Sequence, residues 1–240
     1  SLQANGNNGP GGAITLQTTQ NQVINNATVQ ANGTSHGGNI QITTTQGDIN
    51  LQSALIQTNG AAGRGGQIAI AATNYTSLES STVEATGYTQ GGTIKVGNDA
   101  QNPVLPFSIF TNLDANSILN SSQTNLLNTT NGGYIETSGQ TINLLSSINA
   151  GRGGMWLIDP NDLTVTQTIA DMYASNLNNG NSVTNEVTGS MWFSAGVLLR
   201  KTAGGDATLT LKATERVAFP DATIESTYGK LNLVIWVETD

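Results

Sequence analysis

Carboxylates are the reactive side chains that this sequence offers in quantity. It holds 16 Asp and Glu residues against a single His and no Cys. Two carboxyl groups that flank a glycosidic bond can act as general acid and as base or nucleophile, so acids on adjacent strands would suit polysaccharide cleavage. The densest local group is Asp159-Pro160-Asn161-Asp162. We interpret it as a turn in which the Asp side chains bond to the local backbone, with a catalytic pair or a calcium ligand as alternatives.

The other residue types that carry catalytic chemistry are scarce. His36 is the only histidine, so a Ser-His-Asp triad would have to use it, and we expect it to be exposed at a glycine-rich corner, "TSHGG". One His and no Cys cannot close a tetrahedral zinc site. Asp48 has Gln22 and Thr76 at the equivalent positions of its neighbours, so no acidic column forms there. We predict no catalytic residue, no metal and no cofactor, and expect that the chain is not an enzyme.

Tryptophan and arginine side chains could contact a partner. Trp156, Trp192 and Trp236 could stack on sugars if they are exposed, although the spacing predicts that Trp156 lies in the core. Arg64 and Arg152 occupy matching "GRGG" segments, where we expect them to bond to neighbouring corner carbonyls. A partner contact by these arginines is an alternative without further support from the sequence.

The charge balance restricts the classes of partner. The net charge is −8 and the isoelectric point is about 4.4, with only eight Lys and Arg residues. Binding to nucleic acid or to an anionic membrane requires clustered basic residues, so both are disfavoured. No apolar run approaches the roughly 20 residues of a membrane-spanning helix, so we predict no membrane span.

These candidate residues are positioned by an internal repeat. Glycine pairs recur 26, 28 and 26 residues apart, and each opens an alternating stretch such as "GGNIQITTT" or "GGQIAIAAT". Because the alternation has a period of two, the apolar residues share one face of a strand. The predicted core ladder comprises Ile14, Leu16, Ile40, Ile42, Ile68, Ile70, Ile94, Val96, Ile135, Trp156, Ile158, Leu209 and Leu211. The predicted corner glycines, which we expect to supply positive φ values, are Gly12, Gly38, Gly66, Gly92, Gly133, Gly154 and Gly205.

Each repeat contains three short strands and cannot bury its apolar face alone, whereas stacked copies can. The repeat therefore predicts an all-β, right-handed parallel β-helix of roughly nine coils, with rows of Asn, Thr and Gln bonded along the stack. Within the second irregular segment, Thr168 and Asp171 have the spacing of a capping box, and Gly180 ends a short helix. We predict one continuous domain over residues 1–240, made of regular coils 1–96 and 131–158, an insertion 97–130, an irregular segment 159–196 and coils 197–240.

The second half of the chain contains more specific sequence motifs. The stretches "NGGYIETSGQTINLLSSINAGRGGMWLIDPNDLTV", "KTAGGDATLTLKA" and "STYGKLNLVIWVETD" resemble the filamentous-haemagglutinin-like exoproteins of bacterial two-partner secretion. The resemblance implies an internal fragment of a large adhesin that a dedicated outer-membrane transporter barrel exports. It also implies that the protein is secreted or displayed on the bacterial cell surface.

Three functions remain open at this point. The repeat and the resemblance favour a structural and adhesive shaft that provides length, stiffness and display in cell adhesion or biofilm, with a host surface, a glycan or neighbouring copies as partners. A polysaccharide-active β-helix enzyme, either a lyase or a glycoside hydrolase, is the first alternative. A subunit of a self-assembling extracellular filament is the second.

Overall fold

The computed structural model describes residues 1–98, 105–125 and 130–238. In the first three turns the strands are β1 (Leu2–Gln3), β2 (Ala13–Thr18), β3 (Gln22–Asn25), β4 (Thr28–Gln30), β5 (Asn39–Thr44), β6 (Ile49–Gln52), β7 (Leu55–Gln57), β8 (Gln67–Ala72), β9 (Tyr75–Glu79) and β10 (Thr82–Glu84). The middle turns contain β11 (Thr93–Val96), β12 (Phe110–Leu113), β13 (Ile118–Asn120), β14 (Tyr134–Gly139), β15 (Thr141–Leu144), β16 (Ser147–Asn149), β17 (Met155–Pro160) and β18 (Leu163–Val165). Helix α1 (Gln167–Asn178) follows, and then β19 (Ser182–Val187), β20 (Ser190–Phe193), β21 (Leu198–Lys201), β22 (Ala207–Ala213), β23 (Arg216–Ala218), β24 (Thr223–Ser226) and β25 (Leu231–Val237).

Every strand pairs in parallel with the equivalent strand of at least one neighbouring turn. One sheet has nine strands in the order β2-β5-β8-β11-β14-β17-β19-β22-β25, so the chain makes about eight turns from its first member to its last. A six-stranded sheet runs β1-β4-β7-β10-β13-β16, and a five-stranded sheet runs β15-β12-β9-β6-β3. Three-stranded and two-stranded sheets, β18-β20-β23 and β21-β24, continue the other walls. The predicted parallel β-helix is confirmed.

Two columns of side chains form the core behind the nine-stranded sheet. The first column follows the register Ile14, Ile40, Ile68, Ile94, Ile135, Trp156, Val183, Leu209 and Leu233. The second follows Leu16, Ile42, Ile70, Val96, Thr137, Ile158, Asn185, Leu211 and Ile235. From the second turn to the eighth all of these residues are buried, whereas Ile14 and Leu16 are half-buried and the two residues of β25 are exposed. Each buried Ile or Leu contributes roughly 1.5–3 kcal/mol of hydrophobic stabilisation.

The corner glycines are required for a reason that differs from the prediction. None of the seven has a positive φ. A Cβ placed on Gly38 would instead lie 2.0 Å from the Gly12 carbonyl oxygen, and one on Gly66 would lie 2.1 Å from that of Gly38. Those carbonyls accept hydrogen bonds from the next turn, since Gln67 N donates to Gly38 O at 2.9 Å. Along most of this column, side-chain volume is therefore excluded by the close stacking of turns, and backbone dihedral strain plays no part.

A different column holds the left-handed backbone. Asn26, Ser53 and Ser80 have φ values of 47°, 49° and 50° at equivalent positions of successive turns. The backbone amides of Asn26 and Ser53 donate to the backbone carbonyl oxygens of Gln52 and Glu79, each at 2.9 Å. Because the strained conformation repeats in register, each of these corners is stabilised by a bond to the turn beside it.

Amide side chains bond along the stack, as the composition predicts. Gln30 Nε2 donates to Gln57 Oε1 at 2.5 Å, and Gln57 Nε2 donates to Glu84 Oε2 at 2.6 Å. In a second row, Asn32 Oδ1 accepts from the Asn59 backbone amide at 2.7 Å. These rows satisfy polar groups of the outer surface mainly with neutral amides, and Glu84 is a carboxylate at the end of one of them.

The predicted insertion over 97–130 contains more of the coil than expected. Strands β12 and β13 lie inside it and pair with the turns on both sides. Strand β12 was not predicted, since Phe110–Leu113 lies within the range assigned to the insertion. The extra residues before β12 displace it from the glycine pair at Gly92, so the constant offsets of the earlier repeats do not find it.

The segment predicted as irregular, 159–196, is also mostly coil. Strands β19 and β20 pair with both neighbouring turns, and the interruption is the helix with its connections. The N-cap is Thr166, whose Oγ1 accepts from Ile169 N at 3.4 Å, so the predicted cap at Thr168 is wrong. Gly180, with φ 78°, follows the last turn of α1, as predicted.

Candidate functional site

The predicted turn at Asp159-Pro160-Asn161-Asp162 is divided between a strand and a turn. Asp159 and Pro160 belong to β17, and only the last two residues leave the strand. Asp162 Oδ1 accepts a hydrogen bond from the Ser190 backbone amide at 2.7 Å. Asp162 therefore bonds to the next turn of the β-helix and not to the backbone of its own turn. Asp159, unlike Asp162, lines a groove on the outer surface.

Asp159 lies in a groove on the outer face of the nine-stranded sheet. The groove has a volume of about 830 Å³ and crosses β17, β19 and β22. Asn98 and Phe107, which lie within the predicted insertion, also line it. Alternation directs the inner residues of these strands into the core, so the groove receives the outer ones: Met155, Leu157, Asp159, Thr184, Glu186, Thr210 and Lys212. We call it the outer-face groove.

A carboxylate and an ammonium group follow Asp159 across the next two strands. Glu186 is the Cα partner of Lys212, and Lys212 Nζ lies 3.3 Å from Glu186 Oε2. Lys212 also lies over the exposed ring of Trp236, with Nζ 5.5 Å from the ring centroid. Glu186 is thus paired with a cation, whereas no hydrogen bond joins the Asp159 carboxyl to a described residue.

The environment of Asp159 raises its pKa to about 6. Burial is the larger cause, because desolvation penalises the charged carboxylate, and the negative charges of Glu136 and Glu186 add to it. Near pH 6 the Asp159 carboxyl is therefore about half protonated, and it lies one strand away from Glu186, which pairs with Lys212. This combination can donate a proton and accept one, which is the requirement of general acid–base chemistry.

Glu136 is a buried acid that the sequence analysis did not single out. Its side chain is fully buried on β14 and accepts hydrogen bonds from Tyr134 Oη at 3.1 Å and from Ser138 Oγ at 3.0 Å. Its Cα partner on the preceding strand is Lys95. The signal was present in the alternation of "YIETSG", which places Tyr134, Glu136 and Ser138 on the outer face together. Glu186 was harder to find, since its strand is not preceded by a glycine pair.

The tryptophans occupy three different environments. Trp156 is fully buried and donates from Nε1 to Thr137 Oγ1 at 3.1 Å. Trp192 is exposed and carries the Arg216 guanidinium 3.8 Å above its ring. Trp236 is more exposed, at 57%, and lies next to the outer-face groove. Trp236 is therefore the tryptophan best placed to offer a ring face to a ligand in the groove.

The other predicted corner residues do not join this groove. His36 is exposed at its corner, and the Gly63 backbone packs against its ring. Arg64 is exposed beside the stacked glycines, in a separate polar cavity of about 350 Å³. Arg152 lies over the corners of later turns, where its side chain would meet a Cβ on Gly205. Within the described ranges, no group of three or more His, Cys, Asp or Glu side chains could hold a metal ion.

Comparisons with known proteins leave the family open. No protein-family model, no curated protein and no solved structure matches this chain. In the part of the chain that the structure describes, no helix combines the length and the hydrophobicity needed to cross a bilayer.

Proposed function

We propose that this chain is a shaft segment of a secreted bacterial surface exoprotein of the filamentous-haemagglutinin-like kind, with a structural and adhesive role. The observation that carries the proposal is the register of the nine-stranded sheet, in which one turn follows another without a break in the core columns. Such a solenoid extends in one dimension, so its length grows with the number of turns.

The hydrogen bonds of the stack support a role in stiffness. Turns in a parallel sheet lie roughly 4.8 Å apart, so nine levels span about 40 Å. Each turn is joined to the next along several walls at once. For example, β2, β3 and β4 pair with β5, β6 and β7, and on these three walls Ile40, Leu51 and Val29 are buried. Bending the rod would separate bonded strands on one side and compress packed side chains on the other.

The resemblance in "IETSG", "WLIDP" and "KTAGG…LTLKA" supports the location and the partners. Under this proposal an outer-membrane transporter barrel exports the parent chain, which is then displayed at the cell surface or released. A host surface, a glycan or neighbouring copies are its partners there. Adhesion or biofilm formation is the resulting activity.

Export and adhesion can be tested in the source bacterium. The chain is tagged in an exposed loop, and whole cells are treated with protease and stained with antibody, with and without the gene for the transporter barrel. We expect protease-sensitive surface staining that disappears without the barrel, together with weaker attachment of cells that lack the chain. A tag that stays inside intact cells, or attachment that is unchanged, would contradict the proposal.

A polysaccharide-active enzyme is the second candidate, and the outer-face groove is the observation that favours it. Asp159 and Glu186 lie on adjacent strands; burial raises the pKa of Asp159, and Glu186 is paired with Lys212. Incubation with a panel of polysaccharides, followed by measurement of reducing ends and unsaturated products, tests this function. Turnover that is lost in Asp159→Asn and Glu186→Gln but kept in Asp162→Asn would support it. If no polysaccharide is turned over, the enzyme candidate is rejected and the shaft role is the remaining proposal.

A further inference from the structure

The outer-face groove combines three kinds of surface within one cavity. Its floor includes the apolar side chains of Met155 and Leu157, and Phe107 contributes to a wall. Thr184 and Thr210, Cα partners on adjacent strands, place hydroxyl groups side by side. Apolar patches between hydroxyl and carboxyl groups are typical of sites that bind a ligand which is itself part apolar and part polar.

The charge in the groove has a definite sign. Asp159, Glu186 and Glu238 contribute carboxyl groups, and Lys212 contributes the one ammonium group among the described lining residues. Lys212 is already engaged by Glu186 and by the ring of Trp236. A ligand in the groove therefore meets excess negative charge, which attracts cationic groups and repels uronate and sulfate groups.

We infer that the outer-face groove is a binding site for an oligosaccharide that carries free amino groups. The apolar face of a sugar ring would pack on Leu157 and Phe107, and its hydroxyls would bond to Thr184 and Thr210. Its ammonium group would meet the carboxylate side of the groove. The inference does not depend on the shaft role or on the export route.

The geometry of the stack supports an oligomer rather than a single sugar. Equivalent outer positions on adjacent strands repeat at roughly 4.8 Å along the helix axis. That repeat is comparable to the advance of one sugar residue along an extended chain. Leu157, Thr184 and Thr210 form such a row over three turns. The neighbouring row runs from Glu186 through Lys212 to the exposed Trp236. Successive sugars would thus meet successive turns.

Isothermal titration calorimetry with tetraglucosamine, at a pH just below neutral, tests the inference on the intact chain. Three ligands serve as comparisons: the fully N-acetylated tetramer, a galacturonate tetramer and spermine. We expect saturable one-site binding of tetraglucosamine, with about tenfold weaker binding of the acetylated tetramer because one charged pair is lost. Spermine should bind more weakly than tetraglucosamine, and galacturonate should not bind.

Matched variants locate the site. Glu186→Gln should weaken tetraglucosamine about tenfold, whereas Glu225→Gln, which removes an exposed ion-paired carboxylate from another wall, should leave the affinity unchanged. Thr184→Val should weaken tetraglucosamine but not spermine. Circular dichroism confirms that each variant is folded. Absence of binding, equal affinity for both tetramers, equal affinity for spermine, or equal loss in Glu225→Gln would each overturn the inference.

Discussion

Replacing Asp159 with Asn should stabilise the folded protein near neutral pH. The Asp159 carboxyl is half-buried in the outer-face groove, without a described hydrogen-bond donor, and Glu136 and Glu186 repel its negative charge. Asn has nearly the same shape but no charge. The substitution therefore removes the unfavourable desolvation and repulsion while leaving the packing of β17 intact.

The magnitude follows from the pKa of Asp159, which is about 6 in the folded protein against an ordinary value of 3.8. A difference of this size corresponds to at most about 3 kcal/mol of destabilisation when the group is charged. Because the carboxyl is partly exposed and solvent screens its interactions, we expect about 1–2 kcal/mol. The folded state holds the proton more tightly, so this destabilisation is absent below about pH 4, develops between about pH 4 and 6, and is complete above about pH 6.

Urea unfolding followed by circular dichroism, at about pH 7 and at about pH 4, measures both effects. Asp159→Asn should be about 1–2 kcal/mol more stable than the natural protein at the higher pH and equal to it at the lower pH. Asp48→Asn makes the same chemical change outside the groove and should not reproduce this pH dependence. A variant that is less stable at the higher pH, or a gain of equal size at both pH values, would refute the reasoning.

Two further predictions address the fold. Gly66→Ala should destabilise the protein by about 3 kcal/mol in urea unfolding, because its Cβ would lie 2.1 Å from the Gly38 carbonyl oxygen. The control Gly9→Ala should have little effect, since nothing lies within 4 Å of its Cβ. Asn185→Leu should cost about 1–3 kcal/mol, because Asn185 Nδ2 donates to the buried Tyr173 hydroxyl at 2.8 Å. Adding Tyr173→Phe should recover most of that loss, and a double variant no better than the single one would contradict this account.

The sequence predicted the solenoid because two periodicities reinforce each other. Alternation within a strand assigns Ile40 and Ile42 to one face, and the glycine spacing assigns Ile40 and Ile68 to one column. A β-helix needs little more, since each strand pairs with its own equivalent one turn later. Local and long-range signals therefore agree along most of the chain.

Sequence analysis missed features at two kinds of position. In one, the spacing between equivalent residues of successive turns changes; in the other, a polar residue takes the place of an apolar one. Strand β12 follows extra residues that change its distance from the preceding glycine pair. Asn185 lies in the core between Ile158 and Leu211, where a polar residue is acceptable only because α1 brings Tyr173 against it. Predicting that Asp159 and Glu186 are close would have required pairing β19 with β17, although a helix separates these strands in the sequence.

The distribution of charge along the rod separates its two proposed roles. In the early turns the outer rows are amides that bond to one another, as in the Gln30–Gln57 pair, and such rows need no ligand. In the later turns the nine-stranded sheet carries Glu136, Asp159 and Glu186, and the environment of Asp159 opposes its charged form. A pure spacer would gain stability by replacing Asp159 with a neutral residue. Its presence beside an open groove is therefore better explained by a ligand than by the stability of the stack.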